Sequence, residues 1–170
     1  RQQAQKGNAA DGPGQSQEGD LQRAIRKEPE NKDHYLRLAD FYRREGKLLE
    51  SKTHYEKAYE LSGKDSNIGE QIEDIQLELL RDKLTAAKDV FNRDREDAEA
   101  KKQVTLISKA LIKREIEIFT RRVERYPADM RIKYELAQRF IRLKKWSPAI
   151  SLLQQSVKDS RISSDALVAL

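Results

Sequence analysis

The chain has 170 residues, 37% of them apolar and 37% charged, with 34 Lys and Arg against 29 Asp and Glu for a net charge of +5. That length supports one domain with a real core, and that charge density confines the core to a narrow stripe beneath a solvated surface. No run approaches the roughly 18 apolar residues of a membrane span, and the lack of cysteine excludes a disulfide framework and a thiolate zinc site, which suits a reducing compartment such as the cytoplasm.

In chain order, residues 1–19 are rich in Gln, Gly, Ala and Asp, with Gly12, Pro13 and Gly14 together. Such a stretch cannot repay its ordering entropy and reads as a disordered linker. Residues 20–31 carry Leu21, Ala24, Ile25 and then Pro29, as in the second helix of a pair whose first helix is missing. Over 32–65, Leu38, Ala39 and Tyr42 share one face of a first helix, expected at 32–45. Ser51, Tyr55 and Ala58 do the same on a second, expected at 47–61. Small residues at Ala39 and Ser51 let the two helices approach, while Tyr42 and Tyr55 fill the space around the contact.

The pattern returns over 130–163 as Leu136, Ala137 and Phe140, then Ala149, Leu153 and Ser156, predicting helices at 130–143 and 147–158. Each of these two segments is 34 residues long, which leaves 64 residues between them at 66–129, an excess of 30. There the helical period continues through Ile68, Ile72, Ile75, Leu79, Leu84 and Phe91, then Val104, Ile107, Leu111, Ile118 and Val123. Neither Pro nor Gly interrupts it from Gln71 to Tyr126. Two long helices at 67–92 and 97–126 are expected, with Asn92 ending the first and Asp94 capping the second; four shorter helices are the alternative. Shared between two helices, the excess adds about 15 residues and about 22 Å to each. Ile75, Leu79 and Leu84 are expected to face Leu111, Ile107 and Val104 in antiparallel order. Residues 164–170 read as the start of a further helix. Together with the opening Arg1, that makes the chain read as a piece of a longer array.

At Tyr35-x2-Leu38-Ala39-x2-Tyr42 followed by Ser51-x3-Tyr55-x2-Ala58, and again at Leu136-Ala137-x2-Phe140 with Ala149-x3-Leu153, the sequence resembles the tetratricopeptide repeat (TPR) family. The family's closing proline is Gly63 here, and Lys133 stands where the first aromatic of the second copy is expected. A half-signature closes at Phe119, Val123 and Pro127, with Glu115 and Arg122 in place of the family's alanines. The resemblance implies an all-α superhelical solenoid of helical hairpins, with the middle hairpin elongated like a coiled coil. It also implies a groove lined by the first helix of each pair, taking an extended peptide or a partner helix. On that basis Asp33, Leu36, Asp40 and Arg43, with Arg131, Tyr134, Gln138 and Arg142, are candidate groove residues. The family's carboxylate clamp needs Lys and Asn where this chain has Leu36 and Asp40, so a clamp for a C-terminal carboxylate is not expected.

Charge is uneven, with 14 Lys and Arg against 5 Asp and Glu over 101–145. Lys109, Lys113, Arg114, Arg121, Arg125, Arg139, Lys144 and Lys145 form a candidate basic patch for nucleic acid or another anionic surface. Phe119, Phe140 and Trp146 fall at core positions and are not offered to bases. The competing reading is an ordinary solvated face. His34 and His54 lie on different helices without a cysteine partner and read as surface residues, so no catalytic residue, metal or cofactor is expected. The function expected is therefore a non-catalytic protein-binding scaffold, with nucleic-acid binding through 101–145 as the alternative and self-association through the long hairpin left open.

Overall fold

Seven α-helices and no strand make up the residues described by the computed structural model, 16–157 and Val168. Most of the expected linker, at 1–15, and the helix start expected at 164–170, Val168 apart, lie outside those residues. The chain divides into two units, 1–78 and 79–170.

In the first unit α1 (Gln17–Lys27) begins inside the segment read as linker. Ser16 supplies the reason, because its hydroxyl accepts a hydrogen bond from the Gly19 amide at 3.0 Å. Glu18 and Asp20 in the first turn and Arg26 and Lys27 in the last complement the helix dipole. α1 packs on α2 (Lys32–Arg44), which Asn31 caps, and α2 packs on α3 (Leu48–Leu61). Ala39 and Ser51 are fully buried where α2 and α3 meet, together with Leu38, Tyr55 and Ala58. The Ser51 hydroxyl donates to the Ala39 carbonyl at 2.8 Å, so the small residue satisfies its own polar group while letting the backbones close. Gly46 turns the chain between these helices with φ of 72°. α4 (Ser66–Arg93) begins in this unit and buries Ile68, Ile72 and Ile75. A side-chain carbon at Gly69 would meet the Tyr59 ring at 3.3 Å, so α3 and α4 lie close there.

In the second unit the outer part of α4, from Leu79, runs antiparallel to α5 (Ala98–Arg125). Each helix is a continuous 28 residues, so the middle of the chain is one elongated hairpin and not four short helices. The cap of α5 is Asp97, whose carboxylate accepts from the Glu99 and Ala100 amides at 2.9 and 3.0 Å. Asp94, the expected cap, instead folds the turn by accepting from the Glu96 amide at 3.1 Å. Arg81 Nη2 bonds Glu115 Oε1 at 2.7 Å, which ties the two helices of the hairpin together. Glu115 is only 3% exposed, and a buried carboxylate needs a cation beside it. Beyond Arg81 the hairpin buries little: Ala100 is the one buried residue over 82–110, and Val90 and Leu106 are exposed.

α5 packs on α6 (Met130–Arg142), and α6 on α7 (Trp146–Ser156). Leu136, Ala137, Ala149 and Leu153 are buried at the positions of Leu38, Ala39, Ser51 and Tyr55 in the first pair. Lys133, in the place of the expected aromatic, is buried too, its ammonium donating to Gln155 Oε1 at 2.9 Å. Lys144 takes the turn position of Gly46 with φ of 56°, a left-handed conformation that costs a side-chain-bearing residue about 1–2 kcal/mol. Trp146, expected at a core position, is 57% exposed, because it is the first residue of α7 and precedes the buried run that starts at Ala149.

Candidate binding cleft

The first unit has an open cleft along the exposed side of α2. Its larger part, about 620 Å³, is lined by Arg37, Asp40, Arg43, Arg44, Tyr55 and Gln71. An adjoining part of about 330 Å³ shares Asp40, Tyr55 and Gln71 and adds Leu36, Asn67 and Ile68. Three helices build it. On α2, Leu36, Arg37, Asp40, Arg43 and Arg44 recur at helical spacing on the side opposite Leu38, Ala39 and Tyr42. Tyr55 projects from α3, and Asn67, Ile68 and Gln71 come from the first turns of α4.

Polar pairing fixes the floor. The Tyr55 hydroxyl donates to the Asp40 carboxylate, and burial, with this bond second, pushes the phenol up to about 12. Arg43 donates to Gln71 Oε1 at 2.8 Å and to the Glu78 carboxylate, and the bond to Glu78 raises the guanidinium's pKa further. Both groups are thus held before any ligand arrives. Arg37 and Arg44, at the rim, are exposed.

No protein-family model matches this sequence, and no curated protein matches it. Among solved structures it is similar to the crystal structure of YrrB, a TPR protein with an unusual peptide-binding site. The identity is 15% and the TM-score 0.48, over 89% of this chain and 80% of that one.

Of the groove residues expected in the first unit, Leu36, Asp40 and Arg43 line the cleft, whereas Asp33 is an exposed residue outside its lining. In the second unit Tyr134 is half-buried and packs against the core formed by Ala137 and Leu153. Gln138 is half-buried, and Arg131 and Arg142 are exposed. Sequence reasoning passed over Arg37, Arg44, Asn67 and Gln71. The signal for the first two was their seven-residue spacing, which puts both on one helix face; nothing local marked the other two.

Of the residues of the expected basic patch, Arg139 is withdrawn into the fold. Arg139 is 9% exposed and engaged with Glu115 at 3.4 Å and with Glu135, its guanidinium lying 4.6 Å from the Phe119 ring centre. It is a buried structural cation, because α5 and α6 close over it. Arg114 bonds Glu117 at 3.3 Å. Lys109, Lys113, Arg121, Arg125, Lys144 and Lys145 are exposed.

The histidines also depart from the surface reading. His34, in the first turn of α2, places Nε2 3.0 Å from Oε2 of Glu28, which follows α1. His54 is half-buried and stacks on Tyr42 at 5.4 Å between centroids, with Tyr35 at 6.2 Å. Burial lowers its pKa, so the neutral ring is favoured in the folded state. The stability this contributes is present above the unfolded value of about 6.5 and is lost as pH falls through the lower folded value. Thermal unfolding of wild type and His54→Phe between pH 7.5 and 5 should show a decline that is shallower in the variant; parallel curves would mean that His54 titrates freely.

Proposed function

We propose that this chain is a non-catalytic, tetratricopeptide-like scaffold whose first unit holds an extended peptide or helix from another protein in the cleft over α2. The observation that carries this reading is the cleft itself, an open trough with an apolar patch at Leu36 and Ile68 and a floor of prepaired polar groups. Affinity in such a trough comes from apolar contact, and direction and register come from fixed polar groups. The repeat pattern supports it, since helix pairs joined by small-residue contacts make a stiff base for side chains presented along one helix. The elongated hairpin, with little buried beyond Arg81, would add reach.

Selection of displayed random peptides against the chain tests this. Selected peptides should lose binding to Leu36→Glu, whose fold is verified by circular dichroism, and keep it for Lys57→Glu, which changes a charge outside this cleft. Equal binding to both variants would place recognition elsewhere.

A further inference from the structure

The charges along the cleft are ordered, and the order defines a ligand. Asp40 and Arg43 are engaged by Tyr55, Gln71 and Glu78. Arg37 and Arg44, both exposed and both lining the cleft, have no carboxylate partner among the described residues. Seven residues of helix separate them, about 10.5 Å at 1.5 Å per residue. A chain extended as polyproline II covers about 9 Å in three residues and brings every third side chain back to the same side. Between the two arginines on the same face stands Asp40, whose negative charge remains after it accepts from Tyr55.

We propose that the cleft recognises an extended acidic segment with two carboxylates three residues apart and no acid between them. The partner is a protein segment of the form acid-x-x-acid. Each outer carboxylate would take the forked donors of one guanidinium, a geometry that lysine cannot reproduce. An acidic residue in the middle would meet Asp40 and be repelled. A neutral segment would strip water from both arginines without replacing it, so selection operates against both kinds of wrong ligand. Asn67, beside Leu36 and Ile68, offers its amide to the ligand backbone. This inference rests on the cleft being the binding surface.

Fluorescence anisotropy with synthetic peptides of one length separates the two ideas. Glu-Gly-Gly-Glu in a serine- and tyrosine-containing frame should bind about tenfold or more tightly than Gln-Gly-Gly-Gln in the same frame, and more tightly than Glu-Glu-Glu-Glu. Its binding should weaken with salt. The double variant Arg37→Glu/Arg44→Glu, which changes only exposed side chains, should reverse the preference towards Lys-Gly-Gly-Lys. If the glutamine peptide binds as well as the glutamate peptide and Leu36→Glu abolishes both, the cleft stands and the acidic preference falls. If the four-glutamate peptide binds best, or an oligonucleotide of equal length displaces the acidic peptide with equal potency, the site is a general anion surface and the proposal is overturned. Absence of binding by every peptide in the panel overturns it as well, and failure of the display selection would then remove the cleft reading with it.

Discussion

Replacing Glu115 by alanine should lower folding stability by about 3–5 kcal/mol, the range for breaking a buried ion pair from one side. Glu115 is 3% exposed and stands between Arg81 on α4 and Arg139 on α6. Without it Arg139, whose side chain is 11% exposed, keeps only the half-exposed Glu135 as a carboxylate partner among the described residues. Arg81→Ala should cost less, because an exposed cation is lost and the buried Glu115 it leaves keeps Arg139 beside it. Replacing both buried members by apolar residues, as in Glu115→Leu/Arg139→Met, should recover most of the loss, since desolvating two ions offsets much of their attraction. Urea unfolding of the four proteins checks the order, and equal losses for Glu115→Ala and Arg81→Ala would mean that the cluster is not closed to water.

Leu153→Ala should be nearly as damaging, at about 2–5 kcal/mol, because Leu153 is fully buried and the space it leaves cannot collapse between two helices. Ala137, its buried neighbour on α6, is open to the opposite error. Ala137→Leu should overpack the same contact and cost about 1–3 kcal/mol. The double variant Ala137→Leu/Leu153→Ala exchanges a large and a small residue across one interface, so its loss should be smaller than the sum of the single losses. Additive losses in denaturant unfolding would show that the two side chains do not share one cavity.

The helix pairs were legible because spacing alone specifies them. Leu38, Ala39 and Tyr42, and their counterparts Leu136, Ala137 and Phe140, obey a periodicity that any apolar stripe must follow. The long hairpin was legible for a related reason, the unbroken run of helix-forming residues from Gln71 to Tyr126. What was not legible depends on residues far apart in sequence. Glu115 stood out as an anomaly at a position expected to be small, yet its partners lie at Arg81 and Arg139, and no local pattern connects them. Lys133 is a similar case, a cation on an apolar face that is buried because Gln155 Oε1 accepts a hydrogen bond from its ammonium. The cleft was half visible. Leu36, Asp40 and Arg43 follow from the outward face of α2, but Tyr55 was assigned wholly to the core, and its hydroxyl reaches Asp40 only because α3 crosses beneath. In the basic sector, counting charges cannot separate Arg139, enclosed by α5 and α6, from Lys109 in solvent.

Backbone amide chemical shifts of the isotopically labelled chain, followed while the tightest display-selected peptide is added, test the binding surface most directly. Saturable changes concentrated at Leu36, Arg37, Asp40, Arg44, Asn67 and Gln71 are expected, with the hairpin tip around Val90 and Leu106 unchanged. Changes centred on the tip, or on Lys109 and Lys113, with the α2 resonances unmoved, would contradict the assignment of binding to the cleft.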